Sequence, residues 1–400
     1  MARWEAVRLR EGDLVAAIVP PGPEWLTVVA RVWETGAALL PVDVRIPPAR
    51  ARRLVDLGRA TVVLDAQAGW ERAGPARPDR SELALLVPTS GTTGEPKLVE
   101  LDRDAVLSAV RSSSAMLEAD PEEPWLSCLT PAHIGGLLVL LRAVLLGAPV
   151  VAHPGFDPDA VAHETSCRFV SVVPTMLLRL LDVGADLSRF SRILVGGAAL
   201  APELRARAEA SGGRVVGTYG LTESCGGVVY DGKAFPGTRV RVDPQTSEIL
   251  LTGPTIMRGY RGAPSDHALT EDGWLHTRDA GSIDRQGLLH VDGRLDDVII
   301  SGGEKVPPRA VEAVLRRHPK VADVAVAARP DPEWGARVVA FVVPADPSDP
   351  PSLEGLRDLV AASLPRFEAP RELVIVHELE RTPSGKIRRY PLGEPPKSQE

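Results

Sequence analysis

The sequence predicts an α/β protein: a large N-terminal layered α/β domain with a small β-rich subdomain, followed by a small α+β C-terminal domain. Three observations predict it. Strand-like and helix-like stretches alternate as far as Gly217, the pattern of a parallel, layered sheet. After Gly226 the segments become short, strand-like and separated by Gly, Pro and Asp. From Val298 the order changes to helix, strand, strand, helix, over a length that suits a separate domain.

The elements follow in order. Asp13–Val19 reads as a strand, and Pro20-Pro21-Gly22-Pro23 turns the chain into a helix over Trp25–Thr35, stopped by Gly36. Ala38–Val42, Pro48–Leu57 and Thr61–Leu64 continue as strand, helix and strand. Gly69–Ser81 is polar, with Pro and Arg, and reads as a linker. Leu83–Pro88 reads as a short buried strand and Asp104–Met116 as a helix. Strands at Trp125–Leu129, Val150–His153, Phe169–Val173, Arg192–Val195 and Arg214–Gly217 then alternate with helices at Leu137–Leu146, Ala160–Ser166, Thr175–Leu181 and Pro202–Ala210. This second series implies more than one sheet. The β-rich subdomain comprises Arg239–Val242, Glu248–Leu251 and Leu288–Val291. In the last part, Ala310–Arg317 has Val311, Val314 and Leu315 at helical spacing before Pro319. Val324–Ala328 and Val338–Val343 are strands, and Leu353–Leu364 is a helix after Ser352. The boundary is placed at Gly293-Arg294-Leu295-Asp296, giving domains 1–293 and 298–390, with a polar tail at 391–400 expected to be disordered.

Composition narrows the function. Four hundred residues exceed one ordinary core. An apolar fraction of 44% and a charged fraction of 25% suit a soluble globular protein. A formal charge of −7 with no long basic stripe argues against a nucleic-acid partner. Cys128, Cys167 and Cys225 are odd in number and widely spaced, so they form no disulfide framework and no zinc spacing. A reducing cytoplasm is expected. The start lacks an apolar signal core, and the greasiest stretch, Leu137–Val151, is too short to span a bilayer, so no membrane partner is expected.

The chain is organised around Thr89-Ser90-Gly91-Thr92-Thr93-Gly94-Glu95-Pro96-Lys97. Glycines let the backbone come close to a polyphosphate, N–H groups and hydroxyls donate, and lysine supplies charge. It is not the common P-loop, because Gly91 and Gly94 stand too close and Lys97 lacks its Ser/Thr successor. Alone it reads equally as a mobile surface loop. Four further strings accompany it in order: Gly196-Gly197-Ala198 after a strand; Tyr219-Gly220-Leu221-Thr222-Glu223; Asp279 with Arg294; and Arg381-Thr382-Pro383-Ser384-Gly385-Lys386. Each has a bland reading, respectively a strand-end turn, a core tyrosine with a helix cap, a surface carboxylate and a solvated lysine.

Together, across nearly the whole chain, these strings resemble the adenylate-forming, AMP-binding superfamily of acyl- and aryl-CoA ligases, peptide-synthetase adenylation domains and luciferases. The resemblance implies ATP bound by Thr89, Ser90, Gly91, Thr92, Thr93, Gly94 and Lys97. Gly196, Gly197, Ala198, Tyr219 and Gly220 would surround adenine, and Asp279 and Arg294 the ribose. Thr222 would bind the α-phosphate, Glu223 would hold Mg2+, and Lys386 would bridge the acid and the α-phosphate as the central catalytic group. Coenzyme A is the implied second substrate. The C-terminal domain is implied to be a mobile lid, with 294–297 as hinge and Asp296 at its centre, and Ser301, Gly302 and Gly303 are implied to line the pantetheine channel. A homodimer is compatible with it.

The chemistry suits these residues. A carboxylate is a poor acyl donor, and attack on the α-phosphate of ATP gives an acyl-adenylate whose AMP leaves readily. Bringing an anion to a polyanion needs cations and donors aimed at developing charge. Thr218–Gly232 and His133-Ile134-Gly135-Gly136-Leu137 resemble the actinobacterial o-succinylbenzoate–CoA ligases of menaquinone synthesis, whereas Gly293–Pro307 resembles chlorobenzoate-type ligases equally well. Both take an aromatic carboxylic acid. His133, Gly135, Gly136 and Arg142 are candidates for the acyl pocket, with Arg142 for a second carboxylate. The alternatives are a buried histidine and an arginine snorkelling from an apolar helix. Three departures from the family pattern are Leu98 and Arg278, each where glycine is usual, and a shortened Pro131-Ala132-His133 segment. Other readings are another aryl-acid ligase, an enzyme passing its adenylate to an amine or carrier thiol, and a catalytically silent nucleotide-binding homologue.

Overall fold

The computed structural model describes residues 7–66, 69–73, 82–90, 96–262, 268–301, 304–332 and 334–381 of the 400. The chain divides into two compact units: Met1–Arg241 with Leu250–Thr277 and Gly287–Leu289, and Val242–Ile249 with Arg278–Gln286 and His290–Glu400. The second unit thus takes in Val242–Ile249 and Arg278–Gln286 as well as the C-terminal part of the chain.

In the first unit, β1 (Leu14–Ile18), β2 (Ala38–Pro41), β3 (Val62–Asp65), β4 (Gly69–Arg72), β5 (Leu83–Ser90) and β6 (Pro96–Asp102) form a sheet with the short edge strand Gly259–Tyr260. Its order is Gly259–Tyr260, β6, β5, β2, β1, β3, β4. β1, β2, β3 and β5 run parallel, while β4, β6 and the edge strand are antiparallel to their neighbours. α1 (Glu24–Glu34) buries Trp25, Val28, Val29 and Val32, one stripe at helical spacing. Fully burying each such side chain contributes roughly 1.5–3 kcal/mol. Trp25 also donates from Nε1 to the Pro20 carbonyl at 3.0 Å, so its polar edge is satisfied. α2 (Pro48–Gly58) packs Ala51 and Leu54 against Leu14, Ala16, Leu40 and Leu86. At the start of β1, the Asp13 side chain has no exposure. It accepts from Thr61 Oγ at 2.8 Å, Arg72 Nη1 at 3.0 Å and the Arg10 N–H at 2.8 Å.

Two expectations change here. Residues 69–72 of the expected linker are β4, whose Trp70 is buried beneath the Arg31 guanidinium. β6 stands between the Gly/Thr-rich loop and α3 (Arg103–Met116), so the motif is a hairpin followed by a helix, not strand, loop, helix.

The second sheet contains β7 (Trp125–Ser127), β8 (Val150–Ala152), β9 (Phe169–Val172), β10 (Arg192–Val195), β11 (Val215–Leu221), β12 (Gly226–Tyr230) and β13 (Lys233–Ala234). Its order is β13, β12, β11, β10, β9, β7, β8, parallel from β11 to β8 and antiparallel through β12 and β13. The change of texture after Gly226 is thus the end of this sheet rather than the start of the subdomain. α4 (Ile134–Leu146), α5 (Pro158–His163), α6 (Pro174–Asp182) and α7 (Pro202–Ala210) connect the strands. A four-stranded sheet follows, in the order Arg239–Val242, Glu248–Thr252, Leu275–Ile283, Leu289–Arg294.

In the second unit, Val321–Asp331 pairs antiparallel with Gly335–Pro344, which pairs parallel with Glu372–Ile375. α8 (Pro308–Leu315) and α9 (Leu353–Ala361) pack on Val324, Val326, Val338, Ala340 and Val342. The alternate residues Ala325, Ala327, Val339 and Phe341 pack on the other face with Leu379. Both faces are covered, which is why the strands read as unbroken apolar runs. The expected helix-strand-strand-helix order gains a hairpin, Ile299–Ser301 with Glu304–Val306, ahead of α8 and a closing strand after α9.

Candidate functional site

β5 and β6 pair on either side of the Gly/Thr-rich segment that the sequence singles out. Thr89 is paired with Lys97 and Ser90 with Pro96. Gly91, Thr92, Thr93 and Gly94 lie outside the described residues. Thr89 and Lys97 are half-buried and face each other across the hairpin.

The second sheet contributes from the C-terminal ends of adjacent parallel strands, the usual place for ligands in such sheets. Gly196, Gly197 and Ala198 follow β10, and Gly197 has φ of 75°, which favours glycine. β11 carries Thr218, Tyr219 and Gly220 beside them. The register against β12 shifts between Tyr219 and Gly220. A Cβ on Gly220 would stand 1.9 Å from the Gly226 carbonyl oxygen, so this bulge needs glycine. Leu221 then enters a single 3-10 turn, Thr222–Ser224. Ser224 is buried, and its hydroxyl accepts from the Leu221 N–H at 2.9 Å and donates to the Gly226 carbonyl at 2.9 Å. The turn is thereby fixed, and it carries Thr222 and Glu223.

Glu223 meets a residue that the sequence reading did not single out. Tyr260 donates from its hydroxyl to Glu223 Oε1 at 2.8 Å, and Lys97 Nζ lies 4.9 Å from the centre of the Tyr260 ring. The Met257 N–H donates to the Glu223 carbonyl at 2.8 Å, while the Arg258 and Arg261 N–H groups donate to the Glu100 and Leu98 carbonyls of β6. The segment 257–261 thus joins Lys97 of the first sheet to Glu223 of the second. Its sequence, Met-Arg-Gly-Tyr-Arg, carries no chemical signature; only the pairing with β6 reveals it.

Among the described residues no three His, Cys, Asp or Glu side chains gather as a metal site. A single carboxylate such as Glu223 still fits Mg2+, which is commonly held by one or two carboxylates together with substrate phosphates. Burial pushes the Cys128 and Cys225 thiols up to about 12 and the Cys167 thiol up to about 11, so they stay protonated at neutral pH.

In the second unit Asp279 is buried and ion-paired with Arg294, Nη1 to Oδ1 at 3.2 Å. The two residues that the resemblance assigned to the ribose are therefore together. Arg278 adopts φ of 57°, where glycine would be easier, and its exposed side chain leads away from the interior. Its N–H donates to Glu248 Oε1 at 2.8 Å. Asp296 sits in a 3-10 turn, Leu295–Asp297. Ser301 is buried, and its hydroxyl meets no partner among the described residues. Gly302, Gly303 and Lys386 lie outside the described residues.

The four acyl-pocket candidates fall in different surroundings. His133 is exposed at the N-terminal boundary of α4, so it is not a buried core histidine. Gly135 is exposed, while Gly136 is buried where a Cβ would meet the Thr130 carbonyl at 2.3 Å. Gly136 thus serves helix packing. Arg142 is neither snorkelling nor placed for a second carboxylate, since it is only 3% exposed. Its Nη1 donates to the Leu138 carbonyl at 2.9 Å and its Nη2 to Ser113 Oγ at 2.5 Å. The guanidinium lies 4.0 Å from the centre of the Trp125 ring, and Ser113 Oγ and Tyr230 OH are 2.8 Å apart. Burial lowers the Arg142 pKa to about 10, which leaves it charged at neutral pH.

Comparison with known proteins follows the same outline. A family model described as AMP-binding enzyme matches residues 65–261, and one described as AMP-binding enzyme C-terminal domain matches residues 310–386. The chain is 39% identical over 324 residues to a probable 2-succinylbenzoate–CoA ligase of Mycobacterium tuberculosis, covering 78% of this chain and 84% of that protein. It is 32% identical over 340 residues to the 2-succinylbenzoate–CoA ligase of Enterococcus faecalis, covering 78% and 69%. Among solved structures, it is similar to the o-succinylbenzoate CoA synthetase from Bacillus subtilis in complex with its acyl-adenylate intermediate. That match has a TM-score of 0.84 at 26% identity and covers 97% of this chain and 89% of the other.

Proposed function

The chain belongs to the AMP-binding enzyme family and is an AMP-forming acid–CoA ligase, and we propose that its acid is 2-succinylbenzoate, activated for menaquinone biosynthesis. The observation that carries this reading is the 39% identity extending over 84% of a probable 2-succinylbenzoate–CoA ligase.

In this reading the acid's carboxylate attacks the α-phosphorus of ATP, the bond to the pyrophosphate oxygen breaks, and an acyl-adenylate forms. Lys97 and the loop 89–94 hold the departing phosphates. Tyr219 stacks on adenine beside Gly196, Gly197, Ala198 and Gly220, and Asp279 with Arg294 accepts the ribose. Thr222 donates to the α-phosphate. Lys386 bridges the carboxylate and the α-phosphate, where losing one charged donor costs on the order of 10²–10³ in rate. Mg2+, held by Glu223 with the phosphates, would supply charge neutralisation on the pyrophosphate side. Coenzyme A thiolate then attacks the acyl carbon and AMP leaves. Residues 298–390 act as the lid, with Asp296 in the hinge, and Ser301-Gly302-Gly303 serves the thiol step.

The test mixes the protein with ATP, Mg2+, coenzyme A and 2-succinylbenzoate and follows AMP release and thioester mass. A thioester dependent on all four supports the reading. Thioester formation only with other aryl acids moves the substrate, and adenylate formation without thioester moves the acceptor to an amine or carrier thiol. ATP–pyrophosphate exchange should vanish in Lys386→Ala; exchange at full rate would remove Lys386 from the centre of the mechanism. No exchange with any acid would leave a nucleotide-binding homologue.

A further inference from the structure

We propose that Arg205 is a positioning residue for recognition of the nucleotide base: it holds the segment 196–201 against β11, the two stretches proposed to surround adenine, and this rests on the functional reading above. The segment leads from β10 into α7. The first turn of α7 closes when the Arg205 N–H donates to the Ala201 carbonyl at 3.0 Å, so the Arg205 main chain holds the end of the segment. Its side chain reaches the other stretch. Nη2 donates to the Val215 carbonyl at the start of β11 at 2.9 Å, and Nη1 donates to Asp231 Oδ1 at 2.8 Å. Asp231 directly follows Tyr230, which pairs with Thr218 of β11. Nε donates to Glu209 Oε1 at 2.9 Å, one helical turn on, which aims the guanidinium. One residue thus ties the two stretches together.

Little else holds the helix. Of the nine residues of α7 only Ala208 is buried, and Ala201 at its start has no side chain able to cap it. Leu200 and Leu204 are only partly buried against the core. At the site, by contrast, the fit is close: a Cβ on Gly196 would stand 2.3 Å from Thr218 Oγ1. A displacement of 196–201 therefore changes the space beside Tyr219 at once. The Arg205 and Asp231 side chains are 34% and 41% exposed, so their ion pair adds little to global stability. Its consequence is local, the choice of one position for the segment. Adenine and guanine differ only in the groups on their edges. Telling them apart needs donors and acceptors held to within about 0.5 Å.

The test uses the full chain with Arg205→Met and Arg205→Lys. The first removes every donor of the side chain; the second keeps the charge but lacks the planar fork that serves Val215 and Asp231 together. Arg207→Met on the same helix is the control, because Arg207 reaches Asp182 of α6 instead. Binding of ATP and of GTP is titrated calorimetrically, beside ATP–pyrophosphate exchange and thermal unfolding. Arg205→Met should weaken ATP binding roughly three- to tenfold, the factor of one hydrogen bond lost, and narrow the preference for ATP over GTP by a similar factor. Arg205→Lys should fall between it and the unsubstituted protein, and it decides alone where Arg205→Met does not fold. Arg207→Met should keep the preference. A lower melting temperature with an unchanged preference, equal losses for ATP and GTP, or the same narrowing in Arg207→Met would overturn the proposal in favour of a purely structural arginine. So would an unsubstituted protein that does not prefer ATP. Absence of exchange in the unsubstituted protein would overturn the functional reading instead, while the binding comparison still judges Arg205.

Discussion

Replacing Gly220 by alanine puts the most demanding test on the site's geometry. Gly220 lies at the register shift between β11 and β12. A Cβ there would stand 1.9 Å from the Gly226 carbonyl oxygen, 2.7 Å from its carbon and 2.8 Å from Gly227 Cα. All three are backbone atoms, so no side chain can turn aside. To reach ordinary contact the strands must separate by at least about an ångström. The overpacking costs about 1–3 kcal/mol of stability. The greater effect falls on catalysis, because the displaced backbone carries Tyr219 on one side and the Thr222–Ser224 turn on the other. Misplacing reacting groups by about 1 Å costs on the order of 10²-fold in rate. Gly217→Ala on the same strand is the control. Its Cβ would meet only side-chain atoms, Asp231 Oδ1 at 3.2 Å and Arg205 Nη1 at 3.8 Å. ATP–pyrophosphate exchange and thermal unfolding are measured on both variants. Gly220→Ala should lose roughly a hundredfold in exchange while still folding, and Gly217→Ala should stay within about twofold. Exchange in Gly220→Ala within about twofold of the unsubstituted protein would refute the bulge as the element that aims the site.

Other outcomes follow from single contacts. Burial raises the Asp13 carboxyl, but hydrogen bonds from Arg72 and Thr61 outweigh it and hold its pKa below the ordinary range. Its stabilisation is therefore present above the unfolded value of about 3.9 and is lost as pH falls through the lower folded value. Asp13→Asn should cost about 1–3 kcal/mol in urea unfolding at pH 7, with the deficit narrowing as pH falls below the unfolded value of about 3.9; a deficit independent of pH would contradict this. Arg142→Met should shift the melting temperature but leave the KM for 2-succinylbenzoate within about twofold, since the guanidinium is engaged inside the fold. A tenfold rise confined to the dicarboxylic acid would return Arg142 to the acid's second carboxylate. Asp279→Asn should raise the KM for ATP roughly tenfold by weakening a charged acceptor; an unchanged KM would remove Asp279 from the ribose.

Much of the proposed site is written in contiguous residues. Thr89–Lys97, Tyr219–Glu223 and the pair Asp279 and Arg294 are visible because short loops and strand ends encode their chemistry locally. Most helices and strands are equally legible: α1, α8 and α9 bury apolar residues at helical spacing, and the strands are short apolar runs. β6 was not, because Pro96, Lys97 and Glu100 interrupt its apolar residues and the helix after it draws the eye. Nor was the placement of Arg142: an arginine in an apolar helix reads the same whether it reaches water or stacks on Trp125.

The residue order by itself therefore determined the family and the layered α/β fold and supplied the groups proposed for the nucleotide, because these depend on local pattern and spacing. Pairing of Gly259–Tyr260 with β6 decided that a tyrosine stands against both Lys97 and Glu223. Close packing of α3, α4, β7 and β12 decided that Arg142 serves the interior. Both are contacts between residues remote in sequence, and such contacts are selected by the free energy of the assembled sheets rather than by any one segment's preference.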